Sequence, residues 1–204
     1  MNILHIDSSI LGEHSATRQL TAAVVKRLLD GNPDATVDYR DLAQQSLPQF
    51  SAALAGVASI PVEQRDATLQ RDAQDLASVL DEVLRAHVLV IGAPMYNFGV
   101  PSQLKSWLDA VAVPGKTFQY DANGVKGLLG DKRVVIASAR GGFYGPDTPM
   151  AALDHQESYV RAFFGFLGVT RIEIVRAEGL KVSDEMKSLG IAAGLRQAAG
   201  LELA

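Results

Sequence analysis

Three short segments of this chain carry the side chains needed to grip a flat, phosphorylated ligand. Met95-Tyr96-Asn97-Phe98 sets an amide between two aromatic rings. Two such rings can flank a planar heterocycle while Asn97 and nearby loop N–H groups bond its polar edge, an arrangement that suits an isoalloxazine. Further upstream, Ser9, Ser15 and Thr17 place three hydroxyls around the point where a helix is expected to start, with Ala16 between the last two. Oriented donors at the positive end of a helix dipole are what a phosphate monoester needs. The competing reading of Ser15 is a plain helix cap. Glu13 is out of place beside a dianion and is expected to point outward. The third segment, Arg140-Gly141-Gly142, offers glycines that let backbone approach a flat ligand and N–H groups that can meet negative charge on it.

Each segment must hang on an element that positions it. Asn2–Asp7 reads as a buried strand before the hydroxyl loop, and His87–Gly92 as another before Met95. Arg133–Ala139 reads as a third before Arg140, with Thr36–Arg40 and Arg171–Ala177 completing a set of five. Helices are expected from Ser15 or Ala16 to Gly31, over Pro61–Arg85, from Pro101 to Ala110, over Met150–Leu167, and from Ser183 onward. In the second of these the expected apolar stripe is Leu69, Ala73, Leu76, Leu80 and Leu84. Asp41–Pro61 is too long for a simple connection and is expected either to be functional or to carry helical turns of its own. Val113–Gly130 holds the turn dipeptide Asn123-Gly124 and reads as a hairpin or flap. Strand and helix alternate throughout, the pattern of one doubly wound α/β domain spanning residues 1–204. Ligands of such sheets sit at the strand ends.

Composition removes several alternatives. The chain has 204 residues, 48% of them hydrophobic, which suits one well-buried domain. There are no cysteines, so no disulfide, thiolate metal site or cysteine nucleophile exists. A formal charge of −4 argues against nucleic-acid binding. No apolar run approaches a membrane span and no basic leader precedes the first strand, so a cytoplasmic protein is expected. The four histidines have no metal-ligand spacing: His5 and His87 read as packed neutral groups, His14 lies in the hydroxyl loop and His155 on a helix. There is no G-x-S-x-G elbow, P-loop or dinucleotide fingerprint.

Taken end to end, the sequence resembles the FMN-dependent NADH:quinone reductases and NADH:azo-compound reductases of the flavodoxin-like fold. The resemblance rests on Ser8-Ser9-Ile10-Leu11, Met95-Tyr96-Asn97-Phe98 and Arg140-Gly141-Gly142, each after an expected strand and in the right order. Phe166-Leu167-Gly168 and Ala177-Glu178-Gly179 look like further family features. It implies a five-stranded parallel sheet of order 2-1-3-4-5 with helices on both faces. It also implies that Ser9, Ser15, Ala16 and Thr17 hold the FMN phosphate. Met95, Tyr96, Asn97, Phe98, Ala139, Arg140, Gly141 and Gly142 would then surround the ring. With no dinucleotide fingerprint, NADH or NADPH becomes a transient donor that leaves before a quinone or azo acceptor enters, in ping-pong order. Family members usually carry a hydroxyl just before the Arg; here Ala139 stands there, leaving Ser138 or backbone groups to compensate.

The resemblance further implies a homodimer in which the region of Phe118 and Tyr120 covers the partner's flavin, with Tyr120 and Phe163 as candidate substrate-cleft residues. Phe118 and Tyr120 would be exposed on a lone chain, a local aromatic cluster being the competing reading of the pair, and Phe163, Phe164 and Phe166 cannot all face one core. Trp107 is expected in the core or an interface. No side-chain nucleophile is needed, since the flavin carries the chemistry. The alternatives are a flavodoxin-like electron carrier without small-molecule turnover and a scaffold of the same fold that has lost its flavin.

Overall fold

Two strands are buried along their whole length, and the rest of the molecule is arranged around them. In the computed structural model, which describes residues 1–122 and 124–203, these are β3 (Val88–Pro94) and β6 (Arg133–Ala139). They pair in parallel with β1 (Asn2–Asp7) on one side and β7 (Arg171–Ala177) on the other, and β2 (Thr36–Asp41) completes the edge. The order is β2-β1-β3-β6-β7, all parallel, the sheet that the family resemblance implies.

Alternation along the strands builds two cores, because successive side chains leave opposite faces. Ile3, Val88, Val90, Val135 and Val175 meet α1 (Ala16–Gly31) and α6 (Asp184–Ala199) on one face. Leu4, Ile6, Leu89, Ile91, Val134 and Ile136 meet α3 (Ala67–Arg85), α4 (Ser102–Val111) and α5 (Glu157–Phe166) on the other. Trp107 is fully buried there. The Asp41–Pro61 connection carries α2 (Ala52–Ala55) and a short 3₁₀ turn, as expected for its length.

Three expectations need correction. α3 begins at Ala67, where Asp66 accepts the Leu69 N–H; Pro61–Arg65 forms a separate turn tied down by Arg65 donating to the Val57 and Ile60 carbonyls. Its core-facing residues are Val79 and Val83, and Leu84 is exposed. Leu69, Ala73, Leu76 and Leu80 of the expected stripe are half-buried beside them, with Leu76 packed on the core. The expected Met150–Leu167 helix is broken, because Asp154 Oδ1 accepts the N–H groups of Gln156 and Glu157 and restarts the chain there. His155 consequently lies in the connector, and His87 is exposed with Nδ1 accepting the Asn2 N–H.

The Val113–Gly130 region contains a hairpin of β4 (Phe118–Asp121) and β5 (Gly124–Gly127). The expected turn at Asn123-Gly124 includes Asn123, which lies outside the described residues. Gly127 packs directly on the Leu167–Gly168 backbone, leaving no room for a Cβ, so the hairpin is seated on the end of α5. Phe118 is buried rather than exposed, wedged between Tyr120 and Phe166.

Candidate functional site

The carboxyl ends of β1, β3, β6 and β7 open onto one cavity of about 350 Å³, a normal size for a small-molecule site. Ser9, Ser15, Ala16, Thr17, Met95, Tyr96, Ala139, Arg140 and Gly141 line it, so nine of the residues singled out in the sequence converge. Asn97, Phe98 and Gly142 sit on the flanking turns rather than in the lining.

At the β1 end, Ser9, Ser15 and Thr17 are all buried. Ser15 Oγ accepts the Arg18 N–H at 3.3 Å and lies 2.9 Å from Thr17 Oγ1, so it caps α1 and also belongs to the hydroxyl cluster. The N–H groups of Ala16 and Thr17 find no acceptor among the described residues. Helix starts leave such donors for a ligand. Glu13 is exposed and outside the cavity, as expected.

The ring end is shaped by a tight turn. Tyr96 and Gly99 exchange two backbone hydrogen bonds of 3.0 and 3.1 Å, forcing Asn97 and Phe98 to φ of +48° and +71°. Asn tolerates this conformation, but an aromatic residue there is strained, which is common beside functional sites. The Tyr96 hydroxyl reaches back to the hydroxyl loop, 3.3 Å from Ser9 Oγ and accepting the Ile10 N–H. Met95 N donates to Ala139 O at 2.8 Å, locking this loop to the end of β6.

Arg140 does not extend its side chain toward a ligand. Its guanidinium is fully buried, 2.6 Å from Glu157, 2.8 Å from Asp154 and 3.3 Å from Glu178, with Nε donating to Gln156 Oε1. This cluster anchors the start of the glycine loop. Ser138 is part of it, 3.2 Å from Arg140 Nε, and so cannot compensate for Ala139: adjacent strand residues face opposite sides. The loop after β7 then zips onto the glycines, Gly179, Leu180 and Lys181 donating their N–H groups to Gly142, Arg140 and Gly141. Gly179 at φ +74° is required, since a Cβ would strike Phe143.

Sequence reasoning missed Leu11, His14, Pro94, Leu180, Lys181 and Lys187 in the lining. The singled-out Ala177-Glu178-Gly179 was the available signal for Leu180 and Lys181, since a loop that returns to Arg140-Gly141-Gly142 must carry the next residues inward. Tyr120 is 72% exposed on the hairpin and Phe163 packs on the core; neither lines the cavity.

Beneath the hydroxyl loop lies a polar cluster to which the sequence assigned no role. Asp7 is buried, accepting from Thr21 at 3.0 Å and Tyr39 at 3.1 Å, with Arg18 at 3.6 Å and His5 at 3.5 Å. Burial alone pushes the Asp7 carboxyl up, but His5, Thr21 and Arg18 together outweigh it and hold the carboxyl below its ordinary value. At 3.5 Å the His5 contact is electrostatic, and the close donors are Thr21 and Tyr39.

Chemically, the cavity offers orphan donors and buried hydroxyls at one end, backbone and glycines at the other, and no carboxylate in its lining. That fits a phosphorylated planar cofactor such as FMN. Comparison with known proteins agrees. The family described as flavodoxin-like fold matches residues 1–201. An FMN-dependent NADH:quinone oxidoreductase 2 of Bradyrhizobium diazoefficiens is 49% identical over 205 residues, covering 100% of both chains. Its Pseudomonas aeruginosa namesake is 50% identical over 200 residues, 98% of each chain. The solved structure of the azoreductase AzrA superposes with a TM-score of 0.86 at 29% identity, over 98% of this chain and 97% of that one. With fold, site and relatives in agreement, the chain belongs to the flavodoxin-like family of FMN-dependent NADH:quinone oxidoreductases and azoreductases.

Proposed function

We propose that this chain binds FMN in the cavity at the strand ends and uses NADH or NADPH to reduce quinones and azo compounds in ping-pong order. The observation that carries this reading is the pair of unaccepted N–H groups on Ala16 and Thr17 among three buried hydroxyls, facing a cavity without acids. Ser9, Ser15, Ala16 and Thr17 would hold the phosphate. Met95, Tyr96 and Ala139 would lie against the ring, with Asn97, Phe98 and Gly142 at its border and the Gly141 backbone at its polar edge. Arg140 contributes through its main chain, its side chain holding the glycine loop in place. Bound FMN supplies two-electron chemistry by taking and releasing hydride; the protein orients it and leaves a face for donor and acceptor. The acceptor takes its proton from water or from Tyr120.

The active form in this reading is a homodimer of single-domain chains in the cytoplasm, each flavin cleft bordered by Tyr120 and Phe163. In support, Tyr120, Val125 and Phe166 are exposed around Phe118. No helix among the described residues is long and apolar enough to cross a membrane. Steady-state NADH oxidation at several fixed quinone concentrations tests the reading. Parallel double-reciprocal lines are expected; converging lines would exclude the ping-pong order, and no turnover would leave an electron carrier instead.

A further inference from the structure

Two exposed lysines border the cavity on the β7–α6 side. Lys181 and Lys187 both line it and are exposed to solvent, and among the described residues neither makes an ion pair or a side-chain hydrogen bond. The cavity's other permanent cation, Arg140, is already matched by Asp154, Glu157 and Glu178. Among the described residues no Asp or Glu lines the space, so the two lysines are its unmatched charges.

Their positions differ. Lys181 is fixed against the glycine loop: its N–H bonds Gly141 O at 2.9 Å, and its Cβ and Cγ lie where a Gly141 side chain would begin. Its side chain therefore starts at the ring end of the cavity. Lys187 stands in the first turn of α6. That helix follows a parallel strand, as α1 does, and Gly194 packs on Leu20 of α1. Seven residues before Gly194 is about 10 Å toward the strand ends, which brings Lys187 level with the hydroxyl loop.

We propose that Lys181 is the residue that favours the reduced, negatively charged cofactor, while Lys187 attracts the phosphate whatever the redox state. The inference rests on FMN occupying this cavity. In the first half-reaction NADH loses a hydride and becomes NAD⁺. Bound FMN would take the hydrogen and its two electrons and would carry one added unit of negative charge while reduced. In the second, the acceptor takes the hydride and a proton from water, and that charge disappears. An ammonium whose side chain starts against the glycine loop would interact with that charge only while it exists, the differential that favours one redox state over the other. A charge near the phosphate meets the same dianion throughout.

The experiment is an equilibrium redox titration of the FMN-loaded protein with a reference dye, alongside oxidised-FMN affinity of the apoprotein by fluorescence. Lys181→Met is expected to weaken reduced FMN about tenfold more than oxidised FMN, lowering the midpoint potential by about 30 mV for the two-electron couple. Lys181→Arg is expected to restore the wild-type potential. Lys187→Met is expected to weaken both forms equally and leave the potential where it was. An unchanged potential in Lys181→Met, or an equal drop in Lys187→Met, overturns the proposal while leaving FMN binding intact. A wild-type apoprotein with no affinity for FMN would instead overturn the functional reading on which it stands.

Discussion

Arg18 holds the carbonyl of Ser9 from one helical turn away: its Nη2 donates to Ser9 O at 3.1 Å and to Asp41 Oδ2 at 2.7 Å. The same guanidinium reaches Tyr39 through Nη1 at 2.9 Å. One side chain thus joins the ends of β1 and β2 to the hydroxyl loop, so the loop's shape depends on a residue that does not line the cavity. Arg18→Met is expected to weaken FMN binding on the order of tenfold and to cost about 2 kcal/mol of stability, the scale of lost charged hydrogen bonds. Isothermal titration of the apoprotein and urea unfolding measure the two effects. Undiminished affinity in a destabilised variant would show that the clamp serves the fold alone.

The hydroxyls themselves give the complementary test. Ser9→Ala with Thr17→Ala removes two buried oxygens beside the orphan N–H groups but leaves the Ser15 cap in place. FMN affinity is expected to fall by one to two orders of magnitude, at about 1 kcal/mol or more per lost hydrogen bond, with the circular dichroism spectrum unchanged. Wild-type affinity in the double variant would remove the phosphate assignment.

Much of this was legible because buried strands leave a plain signature. β3 and β6 are apolar runs covered on both faces, and the loops that follow them carry the chemistry. The α3 stripe was read only in part, because Leu76, Val79, Leu80, Val83 and Leu84 offer two overlapping apolar faces. Docking on the sheet chose Val79 and Val83. Arg140 was harder. Its partners at 154, 156, 157 and 178 come together only when the loops after β6 and β7 close, and no local pattern encodes that. Lys187 likewise reaches the site only through the packing of α6 on α1.

Acidification tests the Asp7 cluster. Because the folded carboxyl sits below its unfolded value of about 3.9, its contribution to stability is fully present above that value. It is lost as pH falls through the folded value. Asp7→Asn is expected to cost on the order of 2 kcal/mol near neutrality, with the gap to wild type constant down to about pH 5 and shrinking below about pH 4. Urea midpoints at pH 6 and pH 3 compare the two; a gap that widens in acid would reverse the sign of the assignment.

The exposed apolar ridge of Tyr120, Val125 and Phe166 bears on assembly. Light scattering is expected to give the mass of two chains, since an isologous interface can bury such a patch on both copies. Phe166→Glu is expected to weaken the dimer at least tenfold, because charge would enter an apolar contact, and to lower quinone reduction with it. A monomer with full activity would refute the composite site.

The central claim is that this cavity holds a flavin that exchanges hydride with NADH and a quinone. Anaerobic titration of the purified, FMN-reconstituted protein reads it directly from the visible flavin absorbance. One equivalent of NADH per flavin is expected to bleach the band, and one equivalent of quinone to restore it with no third component present. A protein that stays colourless after reconstitution, or a band that NADH leaves untouched, would contradict the account.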